Sequence, residues 1–254
     1  MIPKRIFQTW KTREVTSSVL KQWQQSWKDL NPDYDYVIWD DEDNRKFVVD
    51  YFQDFLYNYD NYSKNICRVD AIRYLYLYMY GGIYADLDFQ CLKSFDSIIH
   101  SMEVNNIDIT LGSLSEMDNP EFTVHNIPNA IMISKPNVDF WLFVINALKN
   151  TTKLDLSPEL QTGPIFLKIC FQVYMSGQYN QDDITSTFGS DIFKDMNTHD
   201  CKTTIHIVEP NMLYPINWGR NTDIVSYCSK IYSHEELRIF FPDSYAVTFW
   251  MHSW

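Results

Sequence analysis

One stretch, residues 67–89, constrains the fold of this chain more than any other. Its sequence is CRVDAIRYLYLYMYGGIYADLDF, and no charged residue occurs within 74–85. An apolar and aromatic run of this length is too long for an exposed helix, so it must be buried. The sequence predicts a helix that ends at Gly81 and Gly82, because glycine adopts the left-handed backbone of a helix C-cap without steric cost. A short strand over 83–85 is expected to follow.

Four charged residues flank this run. Asp70 and Arg73 are three residues apart and share one face of the predicted helix. Asp86 and Asp88 follow the strand, and their i, i+2 spacing in an extended chain places both carboxylates on one side. Two like charges at the end of a buried strand are costly unless a cation lies between them, and Mg²⁺ or Mn²⁺ is the natural candidate. The alternative is a strand-capping acidic pair beside an ordinary intrahelical ion pair.

The order of these residues resembles the sugar-binding region of glycosyltransferases that contain a DXD motif. The family pattern is approximately D-x-x-R-x-x-x-L-x-x-x-G-G-x-Y-x-D-x-D. This chain matches it without a break at Asp70, Arg73, Leu77, Gly81, Gly82, Tyr84, Asp86 and Asp88. The group, glycosyltransferase family 32, includes OCH1-like mannosyltransferases and bacterial capsular polysaccharide enzymes. The clostridial glucosylating toxins are more distantly similar.

The resemblance implies an α/β fold of the GT-A type, a Rossmann-like, mostly parallel sheet with helices on both faces. It implies a retaining, metal-dependent transfer from a nucleotide sugar, with a UDP-sugar favoured and GDP-mannose as the second choice. Asp86 and Asp88 are expected to hold Mn²⁺ or Mg²⁺, while Asp70 and Arg73 bind the donor sugar. These four residues form the expected catalytic set. The acceptor is a hydroxyl of a glycan, a lipid-linked glycan or a protein.

Two further segments extend the resemblance. The opening residues 2–10 match the family's I-P-K-x-I-H-Q-T-W except at Phe7, and they assign Gln8 and Trp10 to the donor site. Trp10 would stack on the nucleotide base at the end of the first strand, with a core tryptophan as the alternative. Asn129 starts a later strand, where it either lines the sugar site or satisfies buried backbone groups. The T-G-P element within 161–164 is expected to shape a turn near the acceptor.

The C-terminal residues resemble the family's Y-A-x-H-x-W-x-x-S-W, with Thr248 in place of the histidine. That histidine position matters because a C-terminal residue often completes metal coordination in GT-A enzymes. His252 is the substitute metal ligand, displaced by about 13 Å if the strand continues. Ser253 and Trp254 are expected to contact the diphosphate. The alternative is a frayed terminus.

Strands and helices alternate along the chain, which predicts a mostly parallel sheet. The predicted strands are 4–8, 34–39, 83–85, 107–111, 129–136, 204–209 and 245–249. The predicted helices are 17–30, one capped by the acidic run 40–43, parts of 47–62, the central helix, 138–148 and 164–175. Residues 114–125 are expected to form a polar loop, and 177–201 an irregular one suited to specificity.

Composition limits the remaining possibilities. With 254 residues, the chain is expected to form a single domain over 1–254. A net charge of −12 argues against nucleic acid as a partner. The absence of a targeting segment, and of an apolar run long enough to cross a membrane, predicts a cytoplasmic protein. The five cysteines, without C-x-x-C spacing, indicate neither a disulfide framework nor a zinc site.

Two other functions remain open at this stage. A metal-dependent phosphoesterase would use Asp86 and Asp88, but it needs further ligands, and the six histidines are scattered. A non-catalytic sugar-nucleotide-binding protein on the same fold is the second alternative. The complete D-x-D argues against that alternative, whereas Thr248 argues for it.

Overall fold

A computed structural model describes residues 1–114, 126–197, 202–216 and 232–251. The strands in these ranges are β1 (Arg5–Thr9), β2 (Asp35–Trp39), β3 (Gly82–Ala85), β4 (Phe89–Cys91), β5 (Ile109–Gly112), β6 (Ile131–Ser134), β7 (Ile205–Val208) and β8 (Ala246–Thr248). Six of them form one sheet in the order β2-β1-β3-β6-β5-β7, in which β6 alone runs antiparallel to its neighbours. Strands β4 and β8 pair with each other as an antiparallel ribbon.

The helices alternate with these strands along the chain. In the same ranges they are α1 (Ser18–Leu30), α2 (Asp41–Tyr51), α3 (Gln53–Asn61), α4 (Asn65–Tyr80), α5 (Asp96–Val104), α6 (Asp139–Thr151), α7 (Pro158–Gln161), α8 (Pro164–Ser176), α9 (Gln181–Phe188), α10 (Pro210–Leu213) and α11 (His234–Phe240).

Helices cover both faces of the sheet. Successive side chains of a strand point to opposite faces, so neighbours such as Ile6 and Phe7 enter different cores. Phe7 packs with α2, α3, α4, α6 and α8 on one face. Ile6 packs with Trp27 of α1 and with residues of α5 and α10 on the other. The predicted α/β fold, a mostly parallel sheet between two helical layers, is confirmed.

Helix α4 is the predicted central helix, and it is buried along most of its length. It ends as expected at Gly81, where φ is +63° and the backbone N–H donates to the carbonyl of Leu77. Gly82 follows with φ of +93°. A Cβ atom on Gly81 would lie 2.6 Å from the backbone nitrogen of Pro136, and one on Gly82 would lie 2.6 Å from the carbonyl oxygen of Arg5. Both glycines are therefore required by conformation and by close packing.

The acidic run before α2 is a helix cap, as predicted. Asp40 accepts a hydrogen bond from the backbone of Asp43 at 2.9 Å, and Asp43 accepts one from the backbone of Asp40. Arg13 pairs with both carboxylates. These contacts explain the run without a bound metal.

The prediction of irregular structure over 177–201 was wrong in part. Helix α9 lies within this segment, with the side chain of Asn180 as its N-cap and Gly189 in the left-handed conformation at its end. Ile184 and Phe188 lie one turn apart and are buried in the core. This apolar pair and the two caps were the missed signal, because the polar residues around them dominate the segment.

Two other expectations concern membranes and cysteines. In the described ranges, no helix has both the length and the apolar character needed to cross a membrane. Cys67, Cys91 and Cys170 are buried free thiols, as expected without a disulfide framework. Residues 115–125 of the predicted polar loop lie outside the described residues.

Candidate active site

The topology brings the predicted site residues to one edge of the sheet. Strands β1 and β3 are parallel, so their carboxyl ends, followed by Trp10 and Asp86, lie at the same edge. Strand β6 is antiparallel to β3 and pairs Ile131 with Ala85, so its amino end also lies there. Asn129, two residues before Ile131, therefore approaches Asp86 although it is distant in sequence.

The D-x-D sequence occupies a turn between β3 and β4. Asp86 comes directly after β3, and the backbone N–H of Phe89 donates to the carbonyl of Asp86 at 3.2 Å. The sequence predicted an extended backbone from Asp86 to Asp88, and this prediction was wrong because these residues form a turn. Asp86 is buried, and Asp88 is half-buried. The two carboxylates nevertheless interact, because the charge of Asp88 contributes to raising the pKa of Asp86.

The Asp86 carboxylate is held by two side chains. The hydroxyl of Tyr84 donates to Oδ1 at 2.6 Å, and an Nη atom of Arg73 lies 3.3 Å from the same oxygen. Burial raises the pKa of Asp86 to about 7, with Arg73 opposing this shift and Asp88 adding to it. Asp86 thus carries a proton more readily than an exposed aspartate at neutral pH. Tyr84 was not predicted as a support for Asp86, although its place two residues earlier on the same strand face would have indicated it.

Arg73 lies between two carboxylates inside the protein. Its guanidinium is 3.2 Å from Asp70 and 3.3 Å from Asp86, and it donates to the carbonyl of Asn129 at 2.8 Å. It also lies over the ring of Tyr84. Burial acts to lower the pKa of Arg73, but the charges of Asp86, Tyr84 and Asp70 outweigh burial and raise it. The arginine is therefore a fixed positive charge beneath the D-x-D turn.

Asp70 is connected to the rest of the site through both oxygens. Asn129 donates to Oδ1 at 3.0 Å, and the hydroxyl of Thr162 donates to Oδ2 at 3.0 Å. Burial raises the pKa of Asp70, while Arg73 lowers it. Thr162 belongs to the T-G-P element, whose glycine and proline were predicted to shape a turn near the acceptor. The structure places it in contact with Asp70, and the match to the family element was the available signal.

Gln8 lies behind the D-x-D turn. It is fully buried, donates to the carbonyl of Asp86 at 3.0 Å and accepts a hydrogen bond from Tyr36. Its position supports the backbone of Asp86.

A cavity of about 440 Å³ opens between the end of β1 and the starts of α2, α4 and α7. Trp10 is half-buried and lines this cavity together with Asp41, Asn65 and Val69. Trp10 is therefore available to a ligand, as stacking on a base requires.

The C-terminal segment returns to the D-x-D turn. Thr248 is buried opposite Phe89 in the β4–β8 ribbon, and its hydroxyl accepts from the backbone of Trp250. Trp250 has φ of +52°, and the backbone N–H of Met251 then donates to Oδ2 of Asp88 at 3.0 Å. Strand β8 ends at Thr248, so the assumed extended strand to position 252 was wrong.

The remaining C-terminal predictions lie outside the described residues. These are the proposed metal ligand His252 and the diphosphate contacts Ser253 and Trp254.

The chemistry at the D-x-D turn fits a hard divalent cation. Carboxylate oxygens suit Mg²⁺ and Mn²⁺, and such ions often complete their coordination with substrate phosphates and water. Within the described ranges, no group of three or more His, Cys, Asp or Glu side chains is placed to hold a metal.

Comparison with known proteins places this site in a class. Residues 17–105 match the family model described as the glycosyltransferase sugar-binding region containing the DXD motif. The resemblance drawn from the sequence is thus confirmed: these residues are similar to the sugar-binding region of DXD glycosyltransferases.

Two relatives that match this chain are mannosyltransferases of fission yeast. Inositol phosphoceramide mannosyltransferase 2 of Schizosaccharomyces pombe is 36% identical over 179 residues, which are 68% of this chain and 47% of that protein. Inositol phosphoceramide mannosyltransferase 3 of the same organism is 48% identical over 99 residues, or 39% of this chain and 28% of that protein. The matches thus span about half or less of these curated relatives. Among solved structures, the PaToxG glycosyltransferase is similar with a TM-score of 0.46 and 20% identity, covering 67% of this chain and 69% of that one.

Proposed function

We propose that this chain carries the catalytic domain of a mannosyltransferase that uses a nucleotide sugar. The observation that carries the proposal is the D-x-D turn, which is held from below by Arg73 and Asp70 and lies at the same sheet edge as Trp10, a residue that lines a cavity. The sequence favoured a UDP-sugar as donor. Both relatives are mannosyltransferases, so GDP-mannose becomes the first donor to test and UDP-sugars the second.

The proposed acceptor is a hydroxyl of an inositol phosphoceramide. It follows from the names of the same two relatives, which describe transfer of mannose to this lipid. Among the acceptor classes expected from the sequence, it selects a lipid in place of a polysaccharide or a protein.

The metal in this proposal is Mn²⁺ or Mg²⁺, held by Asp88 and Asp86. When bound, such an ion stabilises the negative charge of a departing diphosphate as a Lewis acid. Tyr84 and Arg73 orient the Asp86 carboxylate through Oδ1. The backbone N–H of Met251 donates to one oxygen of Asp88, so that hydrogen bond must break if both oxygens are to bind the ion.

The other residues position the donor. Trp10 stacks on the base from the cavity wall, and Asp70 and Asn129 lie on the side of the sugar. Their mutual hydrogen bond at 3.0 Å fixes both side chains before a ligand binds, which reduces the entropy lost on binding. Transfer is proposed to retain the anomeric configuration through attack on the face that the diphosphate leaves.

The test combines binding and transfer. We expect GDP or UDP to raise the melting temperature of the whole chain in the presence of Mn²⁺ and much less in its absence. Asp88→Asn should abolish the metal-dependent part of this rise in melting temperature. Asp29→Asn, which removes an exposed carboxylate of α1, should leave the rise intact. Transfer of labelled mannose from GDP-mannose to inositol phosphoceramide in detergent should follow the same pattern.

Two results would contradict the proposal. A wild-type protein whose melting temperature responds to neither nucleotide with Mn²⁺ would indicate a relative without donor binding. Nucleotide binding without transfer of any sugar would indicate a binding protein on this fold.

A further inference from the structure

The cavity beside Trp10 contains a hydrogen-bonded pair of side chains that the proposed reaction does not use. The amide nitrogen of Asn65, at the start of α4, donates to Oδ2 of Asp41, at the start of α2, at 3.1 Å. Both residues line the cavity, and Asp41 is half-buried. The capping interactions of α2 involve Asp40 and Asp43, so Asp41 is not needed for them.

This pair presents an ordered hydrogen-bonding pattern. An amide nitrogen has two N–H groups, so Asn65 keeps one after donating to Asp41. The Asp41 carboxylate has two acceptor oxygens, and the bond from Asn65 is made to Oδ2. A planar ligand that contacts both residues therefore meets one donor, the second amide N–H of Asn65, and then two acceptors, the carboxylate oxygens of Asp41.

Guanine is the nucleobase whose edge complements this pattern. Its O6 accepts, and its adjacent N1–H and N2–H groups both donate, so one carboxylate can bind both N–H groups. Uracil offers O4 and one N–H, but its O2 carbonyl would face the second carboxylate oxygen. Two acceptors forced together without a shared proton repel each other, and an acceptor that loses water on binding without gaining a hydrogen bond costs binding free energy.

We infer that Asp41 and Asn65 recognise the base of the donor nucleotide, and that Asp41 makes this site selective for guanine over uracil. The inference rests on the proposed function, because it assumes that this cavity holds the nucleotide. Asp41 determines the choice of base, since its carboxylate distinguishes the amino group of guanine from the carbonyl of uracil. Asn65 contributes to affinity but not to base specificity, since guanine and uracil both carry a carbonyl at the position that its amide contacts.

The experiment measures binding of GDP, UDP and xanthosine diphosphate to the whole chain, each with Mn²⁺, by calorimetric titration. The wild type should bind GDP at least tenfold more tightly than UDP. Asp41→Asn should bind GDP at least tenfold more weakly and should prefer xanthosine diphosphate, because xanthine has a carbonyl where guanine has its amino group. Asn65→Ala should weaken the binding of GDP and of UDP by similar factors, so the ratio of the two dissociation constants should not change.

Two control variants separate this effect from a general loss of charge. Glu42→Gln removes an exposed carboxylate from the same first turn of α2, and it should leave the GDP to UDP ratio unchanged. Glu159→Gln removes the other carboxylate at the cavity, on α7, and should also leave that ratio unchanged. The melting temperature of each unliganded variant verifies folding.

The outcomes distinguish this inference from the proposed function. Tighter binding of UDP than GDP by the wild type would overturn the guanine assignment and leave sugar transfer standing. An unchanged preference for GDP in Asp41→Asn, or its loss in Glu159→Gln, would overturn the role of Asp41. Failure of every nucleotide to bind the wild type would overturn both proposals.

Discussion

Arg73 shows how burial changes the role expected of a motif residue. From the sequence, Arg73 and Asp70 were expected to bind the hydroxyl groups of the donor sugar. In the folded chain, Arg73 is 1% exposed and contacts Asp70, Asp86 and the carbonyl of Asn129. Removing one member of such a group leaves an uncompensated buried charge. Its positive charge therefore acts within the protein, where it opposes the effect of burial on Asp86.

The first prediction concerns Asp86 and pH. Because its pKa is raised to about 7, its neutral form is favoured on folding. The stability from this carboxyl is fully present below its unfolded pKa, about 3.9, and is lost as pH rises through about 7. We expect the free energy of unfolding of Asp86→Asn, taken relative to the wild type, to rise with pH by up to about 1.4 kcal/mol per pH unit over that interval. Urea denaturation at several pH values measures it.

Asp60 provides a matched control, because its pKa is shifted in the opposite direction. The Asp60 carboxylate pairs with Arg45 at 2.8 Å, which lowers the pKa of Asp60. Its contribution is present above the unfolded pKa and is lost as pH falls through the lower, folded value. Asp60→Asn should therefore show no gain between pH 4 and pH 7. A flat response of Asp86→Asn over the same interval would contradict the shift assigned to Asp86.

The second prediction concerns Thr162 and Asp70. Thr162→Val removes the hydroxyl that donates to Oδ2 of Asp70 and retains a similar volume. A buried carboxylate that loses a donor carries a desolvation cost, so we expect a loss of about 1–3 kcal/mol in the free energy of unfolding. Thr162→Ser keeps the hydroxyl and should retain most of that free energy. Equal losses in the two variants would show that packing of the methyl group, and not the hydrogen bond, is responsible.

At the scale of elements, the junction of α4 and β3 sets the position of the D-x-D turn. The chain passes from a buried helix to a buried strand within two glycines, and the strand lies directly beside β1. There is no space for a side chain at this junction, because a Cβ at Gly82 would meet the carbonyl oxygen of Arg5 on β1. The position of the D-x-D turn therefore depends on the packing of α4 and β3 against β1.

The third prediction tests this junction. Gly82→Ala combines a φ of +93° with a 2.6 Å contact to the Arg5 carbonyl, so it should cost about 3 kcal/mol or more. Gly189→Ala provides the control, since Gly189 has φ of +75° but no atom within 4 Å of the added Cβ. That variant should lose only about 1–2 kcal/mol. Similar losses in guanidinium denaturation would mean that backbone conformation alone accounts for both.

At the scale of the whole molecule, one sheet joins the two large cores. Alternate residues of β1, β3 and β6 enter one core or the other, so neither core can lose its packing without exposing the sheet. The β4–β8 ribbon connects the D-x-D turn to the C-terminal segment of the chain. From these connections among the described residues, we predict that the chain unfolds as a single cooperative unit.

The fourth prediction follows from this connectivity. Scanning calorimetry should give one unfolding transition, with a heat-capacity increase of about 3–4 kcal/mol/K for a chain of 254 residues. GDP with Mn²⁺ should move the entire transition to higher temperature. Two transitions, of which only one responds to the ligand, would show that the chain is divided into separate domains.

Much of the fold was predictable because its signals are local. Alternating strands and helices predicted the α/β class, and the Gly81-Gly82 pair predicted the end of α4. Helix α9 was missed because two buried residues are a weak pattern among polar ones. The turn at the D-x-D was missed because i, i+2 spacing has no fixed geometry once a strand has ended.

The sequence by itself determined the chemical character of the site. The spacing of Asp70, Arg73, Asp86 and Asp88, and the buried run between them, identified a sugar-binding region because both are encoded within one continuous segment. Only the tertiary structure decided how distant residues contact it: the side chains of Asn129 and Thr162 both donate hydrogen bonds to Asp70. Their contacts depend on strand order and on the antiparallel entry of β6, which bring residues together across large sequence separations and leave no periodic signal in the chain.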